Sequence, residues 1–305
     1  MLRRARPFLG TLVEVGLSDN VAQAPEIATQ ALESAYSVIA DIEKRLSFHR
    51  ADSELSRLNQ SPGQWVKLSR HATRVLRLAK QLGMLTGDYF NCTVGGILVK
   101  NKHLPLNVAH SFFPLGSSSD IEISLDSVRL KRPVLVTLDG IAKGYAVDQA
   151  VAMLRRHGVK GGWINAGGDL RVFGTARLNI QQRDYRGLHG NLLLANSALA
   201  SSRLAEKPTR EFPAQLITQG FLKRKTHQVA LPEQTFSPKA EQQESIISVK
   251  AASAWRADAL TKVAANLPQS QRREKIAQLG GTLIDFKSLA ENERLSRYEK
   301  TEWLS

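Results

Sequence analysis

Asp139-Gly140-Ile141-Ala142-Lys143-Gly144-Tyr145-Ala146-Val147-Asp148 is the stretch of this 305-residue chain on which its fold depends. Before it, Val134-Leu135-Val136-Thr137-Leu138 reads as a strand; after it, Ala150, Val151 and Leu154 keep a helical spacing that stops at Gly158. A strand enters, two glycines flank a lysine, and a helix leaves. Such a turn aims backbone N–H groups and a helix N-terminus at one spot, where Lys143 adds a full positive charge. The arrangement suits a phosphate, although the spacing is not that of a P-loop. The same letters would also serve a tight strand-to-helix turn carrying a surface lysine.

Two further segments carry candidate chemistry. In Gly161-Gly162-Trp163-Ile164-Asn165-Ala166-Gly167-Gly168-Asp169, paired glycines allow close approach of another backbone or a ligand, or form a plain β-turn at positive φ. Asn165 and Asp169 offer polar groups at the end of that strand. In Asp258-Ala259-Leu260-Thr261-Lys262, Asp258 and Thr261 share a helix face at i, i+3 and could hold a hard cation such as Mg²⁺. The plainer alternative is a surface ion pair between Asp258 and Lys262 at i, i+4, worth roughly 0.3–0.5 kcal/mol.

Outward from these segments, Leu9 to Leu17 reads as a strand. A helix from Pro25 carries Ile27, Ala31, Ala35, Ile39, Ile42 and Leu46. A second helix starts after Ser69 and ends at Gly83. Strands are expected at Ile121-Glu122-Ile123, around Trp163-Ile164-Asn165, at Leu170 to Phe173 and at Ile246 to Val249, with a helix from Ser253 to Asn266 closed by Pro268. Residues 205–244 are polar and read as loops with one or two short strands. No linker or repeat divides the chain, so one α+β domain is expected over 1–305, with helices packed on mostly antiparallel sheets.

The net charge of +14 favours phosphate-bearing partners. The basic residues are dispersed in small groups and aromatics make up only 6%, which points to a solvated basic surface rather than a nucleic-acid site. The single cysteine, Cys92, excludes an intrachain disulfide and a thiolate cluster, and a buried structural role is expected for it. No His-Glu-x-x-His element suggests zinc, and no run of apolar residues is long enough to span a membrane. The start, Met1 to Pro7 and then Phe8 to Val15 interrupted by Thr11 and Glu14, lacks a signal-peptide core, so a cytoplasmic location is expected.

Taken in order, the segments resemble the FAD:protein FMN transferases of the ApbE type. Leu9-Gly10-Thr11, the run from Leu46 to Asn59 containing Ser53-Glu54-Leu55-Ser56-Arg57-Leu58-Asn59, and Thr86 to Gly95 each have a counterpart there. Gly140 to Asp148 and Asn165 to Asp169 match almost letter for letter, and Asp258-Ala259-Leu260 begins the family's metal motif. The resemblance implies an α+β fold that holds FAD in a cleft between two subregions and cleaves its diphosphate with Mg²⁺. The FMN half then passes to a threonine of an acceptor flavoprotein. It further implies Leu9, His49, Asn91 and Thr93 near the flavin, Asp139, Lys143, Gly167 and Gly168 nearer the nucleotide, and Gly10, Thr11, Asp148, Asn165 and Asp169 among the residues that bind the cofactor. Asp258 and Lys143 would act in catalysis, with Asp258 and Thr261 at the metal.

The chain also departs from that pattern. Lys262 stands where the family has a second metal ligand, and Thr137 where it has a metal-proximal aspartate. His49 replaces a flavin-stacking tyrosine. The His-Ile-Ile-Asp-Pro segment is missing; its nearest relic is Gln215-Leu216-Ile217-Thr218, and glutamine cannot serve as a base. A FAD-binding or flavin-delivery protein without turnover is therefore the alternative to an active transferase.

Overall fold

The computed structural model describes residues 2–18, 25–184, 187–204 and 245–290. The chain opens with a hairpin, β1 (Leu2–Phe8) and β2 (Thr11–Leu17), in which Phe8 faces Thr11. Leu9 and Gly10 form its two-residue turn with φ of 56° and 68°, as a type I′ turn requires. The expected strand therefore begins at Thr11, not at Leu9. Helix α1 (Pro25–Leu46) buries Ala28, Ala31, Leu32, Ala35, Ile39, Ile42 and Leu46 along one face. A short α2 (Glu54–Gln60), capped by the Ser53 hydroxyl, leads to β3 (Val66–Lys67).

Helix α3 (Arg70–Thr86) starts at Ser69, whose hydroxyl accepts the Ala72 N–H. Gly83 does not end it. A Cβ there would meet the Ser118 side chain at 2.7 Å, so the glycine serves close approach inside the helix. Gly87, in the left-handed region, closes α3 instead. Then follow α4 (Gly95–Lys100), β4 (Ile121–Ile123), β5 (Ser127–Leu130) and α5 (Ala142–Arg156). Strands β6 (Gly161–Ala166), β7 (Asp169–Gly174), β8 (Arg177–Asp184), β9 (Gly187–Ala195), β10 (Ala198–Leu204) and β11 (Ser245–Ala251) come next. Helices α6 (Ala254–Asn266) and α7 (Gln269–Gln278) and strand β12 (Gly281–Ile284) follow, and residues 286–290 add one helical turn at the end of the described chain.

Seven strands form one antiparallel sheet in the order β1-β2-β6-β7-β10-β11-β12; β3-β5-β4 and the β8–β9 hairpin stand apart. Helices α1, α5 and α6 pack in a layer, with α5 on β6 and β7 and α6 on β10 and β11. This is the expected α+β class. None of the described helices is long and apolar enough to cross a membrane. A large buried cluster joins α1, α3, α5 and α6 to the sheet, and a smaller one, built on Trp163, Leu170, Val172, Leu194, Leu199 and Phe286, lies under the β8–β9 hairpin.

Two sequence readings need correction. Val134 to Leu138 is buried, but apart from an isolated parallel bridge between Val134 and Phe113 it joins no sheet among the described residues. At Val136 the Asn59 side-chain amide takes the place of a neighbouring strand: its Nδ2 donates to the Val136 carbonyl at 2.9 Å and its Oδ1 accepts the Val136 N–H at 2.8 Å, while the Leu135 carbonyl accepts the Gly95 N–H and the Thr137 N–H donates to the Cys92 carbonyl. Periodicity assigns no strands at β8 to β10, because their residues alternate weakly: β8 and β9 pack on the small cluster, and β10 is shared, with Ala198 and Ala200 in the main core and Leu199 in the small cluster. Residues 205–244 lie outside the described residues.

Candidate functional site

Three turns converge on one cleft. The Leu9-Gly10 turn and the Gly167-Gly168 turn meet side by side because β2 pairs with β6: Val13 faces Ala166, and a Cβ on Gly167 would lie 2.6 Å from the Thr11 hydroxyl oxygen. Gly167 and Gly168 have φ of 61° and 100°, and the Gly168 N–H is held by the Asn165 side-chain oxygen at 3.0 Å. The third turn, Asp139-Gly140, leads into the N-terminus of α5 and so brings Lys143 to the same place. Gly144 makes this possible: a Cβ would sit 2.4 Å from the Ala254 carbonyl, where α5 crosses the start of α6.

The cleft has a volume of about 1590 Å³. That exceeds the roughly 300–1,000 Å³ typical of small-molecule pockets and leaves room for a long ligand together with a portion of another molecule. Its walls come from the main body on one side and from β8 and β10 on the other. Leu9, Tyr89, Phe90, Leu115 and Ile180 give it apolar surface, while Lys143, Asp139, Asn165, Asp169 and Lys262 give it polar surface.

Where the lining turns polar, a pair of salt bridges lies within the cleft wall. The Lys143 ammonium is 3.6 Å from the Asp169 carboxylate, and Lys262 pairs with Asp258 one turn away on α6. In each pair the carboxylate lies beneath the ammonium. Side-chain exposure is 33% for Lys143 against 7% for Asp169, and 20% for Lys262 against 0% for Asp258. The Asp169 carboxylate beside it holds Lys143 above the usual lysine range, with Asp258 and Asp139 adding to the effect against its burial. Burial pushes Asp169 up, and the nearby Asp258 charge raises it further, against the two lysines.

Of the expected site residues, Leu9, Gly10, Thr11, Asn91, Asp139, Lys143, Asn165, Gly167, Gly168 and Asp169 line the cleft. Asn91 does so with its amide already engaged: Nδ2 donates to the Gly116 carbonyl, and Oδ1 accepts from the Thr93 N–H and hydroxyl. Thr93 is fully buried behind it. His49 is exposed and lies outside the cleft lining. Asp148 also faces elsewhere. It caps α6 by accepting the Ala254 and Trp255 N–H groups at 3.0 and 2.9 Å, and it pairs with Arg171. The region of Gln215 lies outside the described residues.

Asp258 and Thr261 do not fit a Mg²⁺ site. Asp258 is completely buried; one carboxylate oxygen takes the Lys262 ammonium and the other accepts the Gly144 N–H at 3.3 Å. The Thr261 hydroxyl donates to the Asp258 carbonyl and shares a 2.7 Å hydrogen bond with Ser202. Thr137 bonds to Asp139 at 3.0 Å. Among the described residues, no group of three or more His, Cys, Asp or Glu side chains could hold a metal ion. The surface ion pair offered as the plain alternative is likewise revised: the pair exists, but its carboxylate is in the core.

Sequence reasoning missed the far wall, which includes Asn179, Gln182 and Arg183 of β8 and Ser201 and Arg203 of β10. Their polar letters carry no motif. The one available signal is the Asn196-Ser197 pair, the two-residue connection from β9 to β10, where Asn196 takes φ 44°.

The sequence model of the ApbE family matches residues 9–284. A FAD:protein FMN transferase from Haemophilus influenzae is 26% identical over 173 residues, a match that takes in 50% of this chain and 48% of that protein. The chain thus spans about half the length of that curated relative. Among solved structures, an ApbE protein from Thermotoga maritima superposes with a TM-score of 0.71 at 21% identity, covering 92% of this chain and 93% of that one. The flavinyl transferase ApbE of Pseudomonas stutzeri, in its apo form, gives 0.67 at 16% identity, with coverage of 95% and 96%. At these identities the structural likeness establishes the fold.

Proposed function

The chain belongs to the ApbE family, and from that premise we propose that it binds FAD in the cleft and transfers the FMN half to a threonine of an acceptor flavoprotein. One observation carries the reading. Leu9-Gly10, Asp139 to Lys143 and Asn165 to Asp169, far apart in sequence, enclose a single cleft with apolar surface and two lysine ammoniums. A flavin dinucleotide has the matching chemistry, with a flat apolar ring system and a doubly charged diphosphate.

The chain's own residues support the following chemistry. The ammonium of Lys143 favours the diphosphate and stabilises the charge that builds on the leaving phosphate, while the Gly144 N–H at the start of α5 is taken by Asp258. The acceptor hydroxyl attacks the flavin-side phosphorus, the bond from that phosphorus to the bridging oxygen breaks, and AMP leaves with the oxygen, the hydroxyl proton passing to the AMP phosphate or to solvent. The residues at Asp258 do not fit Mg²⁺, since its oxygens are taken by Lys262 and the Gly144 N–H.

A second reading is a flavin-binding or delivery protein without turnover, and the closed Asp258–Lys262 pair favours it. Two measurements test these readings. Calorimetric titration should show FAD binding more tightly than FMN, and Lys143→Ala should weaken FAD binding by about 1.5–3 kcal/mol, the size of a charge-assisted hydrogen bond. Equal affinity for FAD and FMN, untouched by the substitution, defeats both readings. Incubation with FAD and a threonine-bearing flavoprotein, followed by denaturing electrophoresis, should give covalent flavin fluorescence on the acceptor; binding without that fluorescence selects the second reading.

A further inference from the structure

We propose that the Lys262 ammonium stands permanently in place of a divalent cation at Asp258, so that this chain holds the diphosphate of its dinucleotide with two tethered lysines and without metal. The inference rests on the FAD reading above and specifies how that site works.

Asp258 cannot act as an open metal ligand while it is paired. It is fully buried, and both its oxygens have donors, Lys262 and the Gly144 N–H. A divalent ion would have to displace an ammonium anchored four residues along the same helix and would find the Thr261 hydroxyl already bonded on both sides. Hard cations need several oxygen ligands, which this position does not offer.

What the position offers instead is positive charge directed at the cleft. In both ion pairs the lysine is the more exposed partner and lines the cleft, while Asp258 lies underneath and Asp169 borders the cleft nearly buried. The two carboxylates hold the ammoniums in place; the ammonium protons not engaged by them remain for phosphate oxygens. Lys262 is further positioned by the Asp139-Gly140 turn, since its Cγ and Cε both lie 3.5 Å from where a Gly140 Cβ would stand. Its stem therefore crosses the same turn that delivers Lys143. A metal ion provides such charge only when it is present and partly dehydrated, whereas a tethered ammonium provides it at all times.

The test uses the full chain dialysed against EDTA. Mn²⁺ is titrated and followed by electron paramagnetic resonance, and FAD is titrated by flavin fluorescence in EDTA and in millimolar Mg²⁺. The wild type should take up no Mn²⁺ at this position and should bind FAD equally well in both buffers. Lys262→Met should lose about tenfold or more of its FAD affinity in EDTA, the scale of one charge-assisted contact. Lys262→Arg should keep most of it, and Lys262→Thr should gain both Mn²⁺ uptake and Mg²⁺-dependent FAD binding. Uptake of Mn²⁺ by the wild type that Asp258→Asn abolishes overturns the proposal, as does FAD binding that Mg²⁺ strengthens tenfold. Both of those wild-type titrations stand even if a Lys262 variant fails to fold. FAD binding in neither buffer overturns the flavin reading and this proposal together, whereas Mg²⁺-dependent binding overturns this proposal alone.

Discussion

Leu9 occupies a backbone conformation that glycine, asparagine or aspartate would hold at lower cost. Its φ of 56° is left-handed, it is half-buried at the cleft, and its N–H is tied to Glu43 at 2.8 Å. Such a conformation costs a branched residue on the order of 1–2 kcal/mol. Strain retained at a cleft suggests that the side chain is wanted there. Leu9→Asn should therefore raise the stability measured by chemical denaturation by about 1 kcal/mol and at the same time weaken FAD binding several-fold. A variant that gains stability with unchanged affinity would remove Leu9 from the site. Cys92 behaves in the opposite way. It borders the cleft but is buried, and burial pushes its thiol up to about 12. Cys92→Ser should leave FAD affinity within a few-fold of wild type. The native thiol should resist a disulfide reagent that reacts once the chain is denatured.

At the scale of elements, the contact between α5 and α6 decides where the two lysines sit. Gly144 lets the helices touch, and Asp148, one turn further along α5, caps the first N–H groups of α6. Gly144→Ala should destabilise the chain by about 1–3 kcal/mol through overpacking and should weaken FAD binding as Lys143 shifts. Burial holds Asp148 above its ordinary range, against the two N–H donors that favour its charge. Each of its two oxygens takes one of those N–H groups. Asp148→Ala should cost about 1–2 kcal/mol, as the loss of an N-cap does, and Asp148→Asn, which keeps one accepting oxygen and turns an NH2 group toward the other N–H, should recover only part of that loss. Asp148→Asn as stable as the wild type would show that one oxygen suffices for the cap.

At the scale of the whole molecule, α3 is joined to α5 by the 2.9 Å hydrogen bond between His71 Nδ1 and the Tyr145 hydroxyl. Burial holds His71 below its ordinary value of 6.5. Unfolding frees the ring to take up a proton as soon as the pH falls below 6.5, whereas the folded chain resists it. The stability His71 contributes is therefore fully present above 6.5 and is lost as the pH falls through the lower folded value. Denaturation midpoints should decline from pH 7 to pH 5, and His71→Gln should flatten that region of the profile. An unchanged slope in the variant would assign the decline to other groups. The net charge of +14 acts over longer range: raising ionic strength should slow FAD association and weaken its binding.

Much of this protein was legible in its letters because the relevant physics is local. Proline and serine mark the starts of α1 and α3, the apolar spacing defines the buried face of α1, and a β-turn at positive φ is one of the two readings open for Gly167-Gly168. The ordered motifs also pointed to the family, and ten of the expected site residues do meet at the cleft. What the letters could not determine depends on contacts between distant segments. Periodicity makes Val134 to Leu138 a strand, but whether a neighbouring strand or the Asn59 side chain satisfies its backbone is settled only by packing. Asp148 looked like a cofactor contact until the crossing of α5 and α6 turned it toward a helix end. Likewise, an i, i+4 spacing lets Asp258 meet Lys262 in any helix. Only the burial of α6 against β10 and β11 takes the carboxylate out of water and leaves the ammonium facing the cleft, because burial is a property of the assembled layers and not of the spacing.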